Sequence, residues 1–472
     1  MNSQPTVLHS HTYEVSLDDA GLTGLLPALT PSGVWIRQGQ GLLGLGVAAE
    51  FTASGPRRFA ELAHSWAAVD WQPLESPHGP VSAAFAEAAH YPGAGPVAFT
   101  SVAFSETSSY ASRLIVPQLI LAVSAERSLL TVVGDSAAAD VTALLTEHGL
   151  VLDGGTVRLL DTAAAPRNLP AGQLQAGSQS ERQYLNAVTA GLSAIAAGTV
   201  QKLVLARDVV VTSSQPLPRG VLLSRLAADY AECWTYCVGE VSGGNESVLG
   251  ATPEMLVSLR GERVSSRVLA GTVDRSWSEQ EAADRLLRNA KQHREHDLAV
   301  QSLVEQLSPL TESLQSPTDP HVLRLPNVYH LATDVSGVLA SGSEGTLPSP
   351  LQVAERAHPT AAVCGTPTRE AGQLLEMLEG LDRGPFAGPV GWMDAAGNAD
   401  FGIALRGGVL EGPSSTTHDD GDAAAAENGN GGRRIRLYAG CGIVADSVPE
   451  DELAETRSKL RPMLSTLGLV AS

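Results

Sequence analysis

Two charged side chains stand in runs where a charge is costly. In "VQKLVLARDVVVT" Lys202 shares a strand face with Val204 and Ala206, so the alternation aims it into a packed or enclosed region. Burial disfavours an ammonium, which is how a lysine becomes a usable general base. In "VLGATPEMLVSL" Glu254 follows a proline in a strand–turn–strand pattern. A desolvated carboxyl there holds its proton longer than usual and can act as an acid. Taken singly, each also fits a surface position.

Two more stretches carry clustered charge. "KQHREHDLAV" sets His293 and His296 three apart around Glu295 on a helical pattern. Zinc proteases space their histidines at i and i+4 within HExxH, and no third ligand lies nearby, so a solvated helix face is the better reading of these histidines. "VPEDELAETRSKL" brings Glu452 and Glu455 to one helix face, with Lys459 one turn further on. By itself this is an ordinary exposed helix with a Glu455–Lys459 pair worth a few tenths of a kcal/mol. A third candidate is dismissed. "GQGLLG" at 39–44 spells a dinucleotide-binding turn, but more strand-like sequence follows it and no helix opens to face a phosphate.

Residues 1–175 are mainly strands and turns. "GVWIRQGQGLLGLGVAAEF" is a hairpin of apolar strands broken by glycine, and "RLIVPQLILAVSAERSLLTVVG" is two strands joined at "AER". The Pro- and Gly-rich residues 163–180 form a connector. In 176–472 a helix opens with Ser180 and Gln183 as a capping box and repeats Tyr184, Val188, Leu192 and Ile195 at helical spacing. The doubly apolar Lys202 strand belongs to a large layered sheet. Residues 278–307 read as one helix, with Leu298, Val304 and Leu307 inward. Residues 411–432, acidic and low in complexity, are a disordered insertion between two strands.

The 472 residues carry a formal net charge of −20, which argues against nucleic acid or an anionic membrane as partner. An anionic substrate must therefore meet locally concentrated cations. Four scattered cysteines without a CxxC pair fit reduced thiols in a cytoplasmic protein. The N-terminus lacks a signal-peptide pattern, and no apolar run approaches a membrane span.

The order of "QKLVLAR", "GATPEMLVS", "RVLAGTVDR", "KQHREHDLA", "YHLATDVSG", "HPTAAVCGTP", "GPVGWMD", "FGIALR" and "YAGCGIVADSVPEDELAETRSKL" resembles the chorismate-utilising enzymes, and among them the isochorismate synthases most. The resemblance spans roughly 180–465. It implies a large single α+β domain of packed, mostly antiparallel sheets surrounded by helices, with 1–175 as the strand-rich N-terminal part and the site near the middle. By the same resemblance Lys202 is the general base that activates water and Glu254 the general acid. Glu295 and Glu455 are the ligands of Mg2+, with Glu452 behind them. Gly271, Thr272, His330, Trp392, Arg406, Gly440, Gly442 and Lys459 contact chorismate.

Ala270 stands where aminodeoxychorismate synthases carry a nucleophilic lysine, and "EHDLAVQSLVEQL" lacks the "VDLxRND"-like run of anthranilate synthases. Gln292 replaces an often acidic position. Small Ala361 and Ala362 favour the synthase over a salicylate synthase, which would go on to eliminate pyruvate. The retained acid, base and metal glutamates argue against a non-catalytic chorismate-binding subunit. Monomer and homodimer both fit the sequence.

Overall fold

The computed structural model describes residues 6–73, 93–136, 140–161, 168–239, 246–274, 277–324, 328–342, 345–412 and 433–470. Its frame is two sheets, of fifteen and ten strands among the described residues. Nearly every pairing is antiparallel, the exceptions being the two parallel contacts of the strand Val7–Leu17. The α+β architecture of packed antiparallel sheets with helices outside is the one the sequence implied.

Alternation explains how the sheets stack. In the hairpin Gly33–Arg37/Gln40–Leu45, Trp35 and Leu42 join a core that also holds Phe99, Ile115, Val257 and Phe401 of the ten-stranded sheet. Their neighbours Val34, Ile36, Leu43 and Leu45 face the opposite way. There they meet Leu22, Leu222, Leu460 and Met463 of covering helices. The turn between the two strands has positive φ at Gln38 (52°) and Gly39 (76°), as a two-residue turn matching strand twist requires. The glycine spelling at 39–44 is therefore a hairpin, not a phosphate-binding turn. Strands from the first 175 residues lie beside later ones in both sheets. Gly33–Arg37 pairs with Trp234–Val238, and Val97–Ser101 with Pro389–Asp394.

The chain passes between the sheets through very short links. One is Pro117–Gln118, between Ser112–Val116 in the ten-stranded sheet and Leu119–Val123 in the fifteen-stranded one. The stretch expected to form two strands thus forms three. Pro117 has no N–H to donate to a ladder, so it ends one strand and frees the chain to change sheets. Two other links carry candidate site residues: Pro253–Glu254 and Ala404–Arg406.

Three further expectations need amendment. The connector at 163–180 contains an edge strand, Gly172–Ala176, paired with Val209–Ser213. The helix expected over 278–307 is two helices, Glu279–Arg288 and Ala290–Leu307, separated by Asn289 in an extended conformation (φ −87°, ψ 107°). Asn gives the backbone a local alternative to helical hydrogen bonding. Third, His296 is not solvated. It is 1% exposed and its Nε2 lies 2.7 Å from Thr333 Oγ1. The capping box at Ser180 and Gln183 forms as read. Within the 411–432 insertion, residues 413–432 lie outside the described residues.

Candidate active site

The Lys202–Ser213 strand is buried along most of its length, and its two faces do different things. Leu203 and Leu205 pack against Tyr184 and Val188 of the helix Glu181–Ala196. Lys202, Val204 and Ala206 face a cavity of about 200 Å³. In the adjacent strand Arg434–Ile443, Gly442 and Gly440 stand directly opposite Val204 and Ala206. Directly opposed residues share a face, so this run of small side chains leaves open volume over the sheet. Lys202, 2% exposed, stands at one end of that floor.

Glu254 enters from a link between the sheets. Its N–H donates to Thr252 Oγ1 at 3.2 Å, Thr252 donates to Ile403 O at 2.6 Å, and Ile403 N–H donates to Glu254 O at 3.0 Å. The Glu254 backbone is thereby tied at its N–H and its C=O while the carboxyl lines the cavity. Burial raises its pKa from 4.5 to about 7, and the charges of Lys202, Lys459 and Arg406 hold it from rising further. A carboxyl poised near neutrality beside an enclosed amine is an acid–base pair in the making.

Arg406 arrives through the second link. Its φ is +50°, an uncommon value for a side-chain-bearing residue. The bend is held by Tyr236, whose hydroxyl donates to Leu405 O at 3.1 Å. The same hydroxyl occupies space that a Cβ on Gly407 would need, at 2.3 Å. Gly407 is therefore required for close approach, and Tyr236 locks the turn that aims Arg406. Burial lowers the Arg406 pKa from its ordinary value, with Cys233, Glu455 and Glu254 opposing. Tyr236→Phe is expected to cost ~1–2 kcal/mol in urea denaturation, because it removes a buried donor from Leu405 O.

The helix Pro449–Thr466 supplies the remaining wall. Glu452 is buried and Glu455 half-exposed, one turn apart, and both line the cavity. Lys459 Nζ donates to Gly440 O at 2.8 Å and pairs with Glu455 Oε1 at 2.7 Å. Burial works against its ammonium, but Glu455 and Cys441 more than offset this and raise its pKa. His330 lines the cavity from the ten-stranded sheet. In a chain of net charge −20, one cavity thus brings Lys202, Arg406 and Lys459 together beside Glu254, Glu452 and Glu455. The cations suit a small polyanion.

Three expected residues are only partly described. Gly271 and Thr272 lie on the strand Arg263–Asp274, with Thr272 in register with His330, but their side-chain surroundings lie outside the described residues. So does the side chain of Glu295, whose backbone belongs to the helix Ala290–Leu307. Among the described residues no three His, Cys, Asp or Glu side chains gather to hold a metal. Glu452 and Glu455 nevertheless offer carboxylate oxygens, and a hard cation such as magnesium prefers oxygen donors, so the donor chemistry fits.

Trp392 corrects the expected set, because it does not line this cavity. It lines a second one with Trp35 and Arg260, and Arg260 Cζ lies 5.5 Å from its ring. The strand Pro389–Asp394 is buried on both faces, so its alternation could not say what either face meets. Conversely, Arg383 and Tyr438 line the cavity and were not anticipated. The only sequence signal for Arg383 was its i,i+4 spacing from Glu379, which describes many surface pairs equally well.

A family described as "Chorismate binding enzyme" matches residues 35–468. Isochorismate synthase DhbC of Bacillus subtilis is 36% identical over 293 residues, 61% of this chain and 68% of that protein. Isochorismate synthase EntC of Escherichia coli K12 is 36% identical over 273 residues, 57% of this chain and 63% of that protein. The solved structure of MenF, the menaquinone-specific isochorismate synthase of Escherichia coli, superposes with a TM-score of 0.72. It covers 99% of this chain and 96% of that one, and at 20% identity it speaks for the fold. A match across almost the whole chain leaves one assignment: the chain belongs to the chorismate-binding enzymes.

Proposed function

We propose that this chain is a magnesium-dependent isochorismate synthase, converting chorismate to isochorismate by adding a hydroxyl at C2 and expelling the hydroxyl at C4. The observation that carries this reading is the meeting of Lys202 and a carboxyl of pKa about 7, Glu254, in one cavity with Arg406 and Lys459. Lys202 takes a proton from the attacking water. Protonated Glu254 gives one to the departing hydroxyl, so that water enters and water leaves and the product is an isomer. Arg406 grips the enolpyruvyl carboxylate bidentately and Lys459 adds a point charge. His330 and the backbone at Gly440 and Gly442 shape the remaining contacts.

Glu295 and Glu455 would hold the metal, with Glu452 behind them. Bound there, magnesium supplies positive charge to the ring carboxylate and to charge developing during attack. The product serves menaquinone or catecholate siderophore synthesis in the cytoplasm, a setting that suits four buried, unpaired thiols.

Incubation with chorismate and Mg2+, followed by chromatography, is expected to yield isochorismate without free pyruvate. Unchanged chorismate would reject the reading. Arg406→Lys keeps the charge but loses the fork. Its KM for chorismate should rise roughly 10- to 100-fold with a smaller change in kcat, as steady-state kinetics would reveal.

A further inference from the structure

The strand that carries Lys202 is paired without interruption on one side, where Arg434–Ile443 runs beside it from Leu203 to Thr212. Its other side has a gap. The short strand Gly365–Thr366 covers Lys202 and Leu203, and Gly172–Ala176 covers Val209 to Ser213. Among the described residues, 204–208 have no strand neighbour there, and only Val204 N–H finds a backbone partner, Cys364 O at 2.9 Å. Val204 and Ala206 are buried, where a backbone amide or carbonyl left unpaired is costly.

Side chains take the place of the absent strand. Arg383 Nη2 donates to Val204 O at 2.6 Å. Ala206 N–H donates to Glu379 Oε1 at 2.8 Å, and Gln179 Nε2 donates to Ala206 O at 2.9 Å. Glu379 and Arg383 pair at two points, and each side chain is 3% exposed. Arg383 Nη1 also donates to Val363 O at 2.8 Å, and its Cζ lies 4.3 Å from the Phe104 ring centroid. One guanidinium therefore joins the lysine strand to the turn at Val363, and both line the reaction cavity. A buried ion pair adds little net stability over apolar residues of similar volume. Its distinctive contribution here is direction.

We infer that the Glu379–Arg383 pair is a positioning element for the reaction, fixing Val204 and Ala206, and through them Lys202, against the cavity. The inference deepens the proposed isomerisation and rests on it. Four guanidinium N–H groups go to Glu379, Val204 and Val363. Arg383 thus acts through the strand and the turn, not on the reacting atoms.

Arg383→Lys keeps the charge and loses the fork. It should lower kcat by about 10²-fold, the scale expected when a reacting group is misplaced by an ångström. KM for chorismate should stay within about threefold, since uniform binding is untouched. Hydrogen exchange should rise at Ala206, whose N–H donates to Glu379, and stay unchanged in 209–213, where the ladder to Gly172–Ala176 persists. Wild-type turnover and exchange in this variant would overturn the inference, and so would a general rise in exchange with kcat and KM damaged alike. If Arg383→Lys fails to fold, Glu379→Gln serves. It keeps an acceptor for Ala206 N–H but ends the ion pair, and should lower kcat about tenfold with the same exchange pattern. Wild-type behaviour there overturns the inference. A wild-type protein that leaves chorismate unchanged would remove the functional reading alone, because the exchange comparison still tests the positioning.

Discussion

Lys202→Ala is expected to lower kcat for isochorismate formation by roughly 10²- to 10⁴-fold, the range that a positioned proton acceptor contributes. KM should change little, because Arg406 and Lys459 still supply positive charge to the substrate carboxylates. A second readout separates loss of the base from loss of structure. Lys202 is the foremost of the charges that restrain the Glu254 pKa against burial. Removing it should push that carboxyl higher still, so any residual activity should persist to a higher pH than in the wild-type protein. Lys202→Met keeps the stem in place and should lose activity to the same degree. Product chromatography across a pH series measures both effects, and turnover that survives either substitution would reassign the base.

Glu254→Gln should move activity and stability in opposite directions. Gln cannot deliver a proton, so kcat should fall about 10²- to 10³-fold. The stability effect follows from the sign of the shift. The folded protein holds the Glu254 proton more tightly than the unfolded chain does, with a pKa of about 7 against 4.5. The stability this provides is fully present below 4.5 and is lost as pH rises through about 7. Above that, the wild-type protein keeps a desolvated carboxylate in its cavity. The variant does not, and at pH 8.5 it should resist urea better by roughly 2–3 kcal/mol, with little difference at pH 4.5. Equal stability at both pH values would show that Glu254 is not desolvated. In the wild-type protein the same ionisation should appear as a fall in kcat/KM above about pH 7, since the acid must be protonated to act. Loss of activity with gain of stability is what a functional site built from buried charge predicts.

The helix start at Ser180, the hairpin around Gln38–Gly39 and the doubly buried strand at Lys202 were all legible in the sequence. Each depends on interactions between residues a few positions apart, so local order carries the signal. The ordered blocks went further and nominated Lys202, Glu254, Arg406 and Lys459 before any geometry was known.

Burial and convergence were decided by the tertiary structure alone. What each face of Pro389–Asp394 meets, and so where Trp392 lies, depends on partners distant in sequence. The same holds for the buried His296 and for the Glu379–Arg383 pair, whose spacing is equally that of a solvated surface pair. Pro117 and the links at Pro253–Glu254 and Ala404–Arg406 show why. A change of sheet takes two or three residues, yet it determines the surroundings of everything that follows. Alternation and helical periodicity report what a residue prefers, whereas desolvation and charge pairing depend on which distant segments close around it.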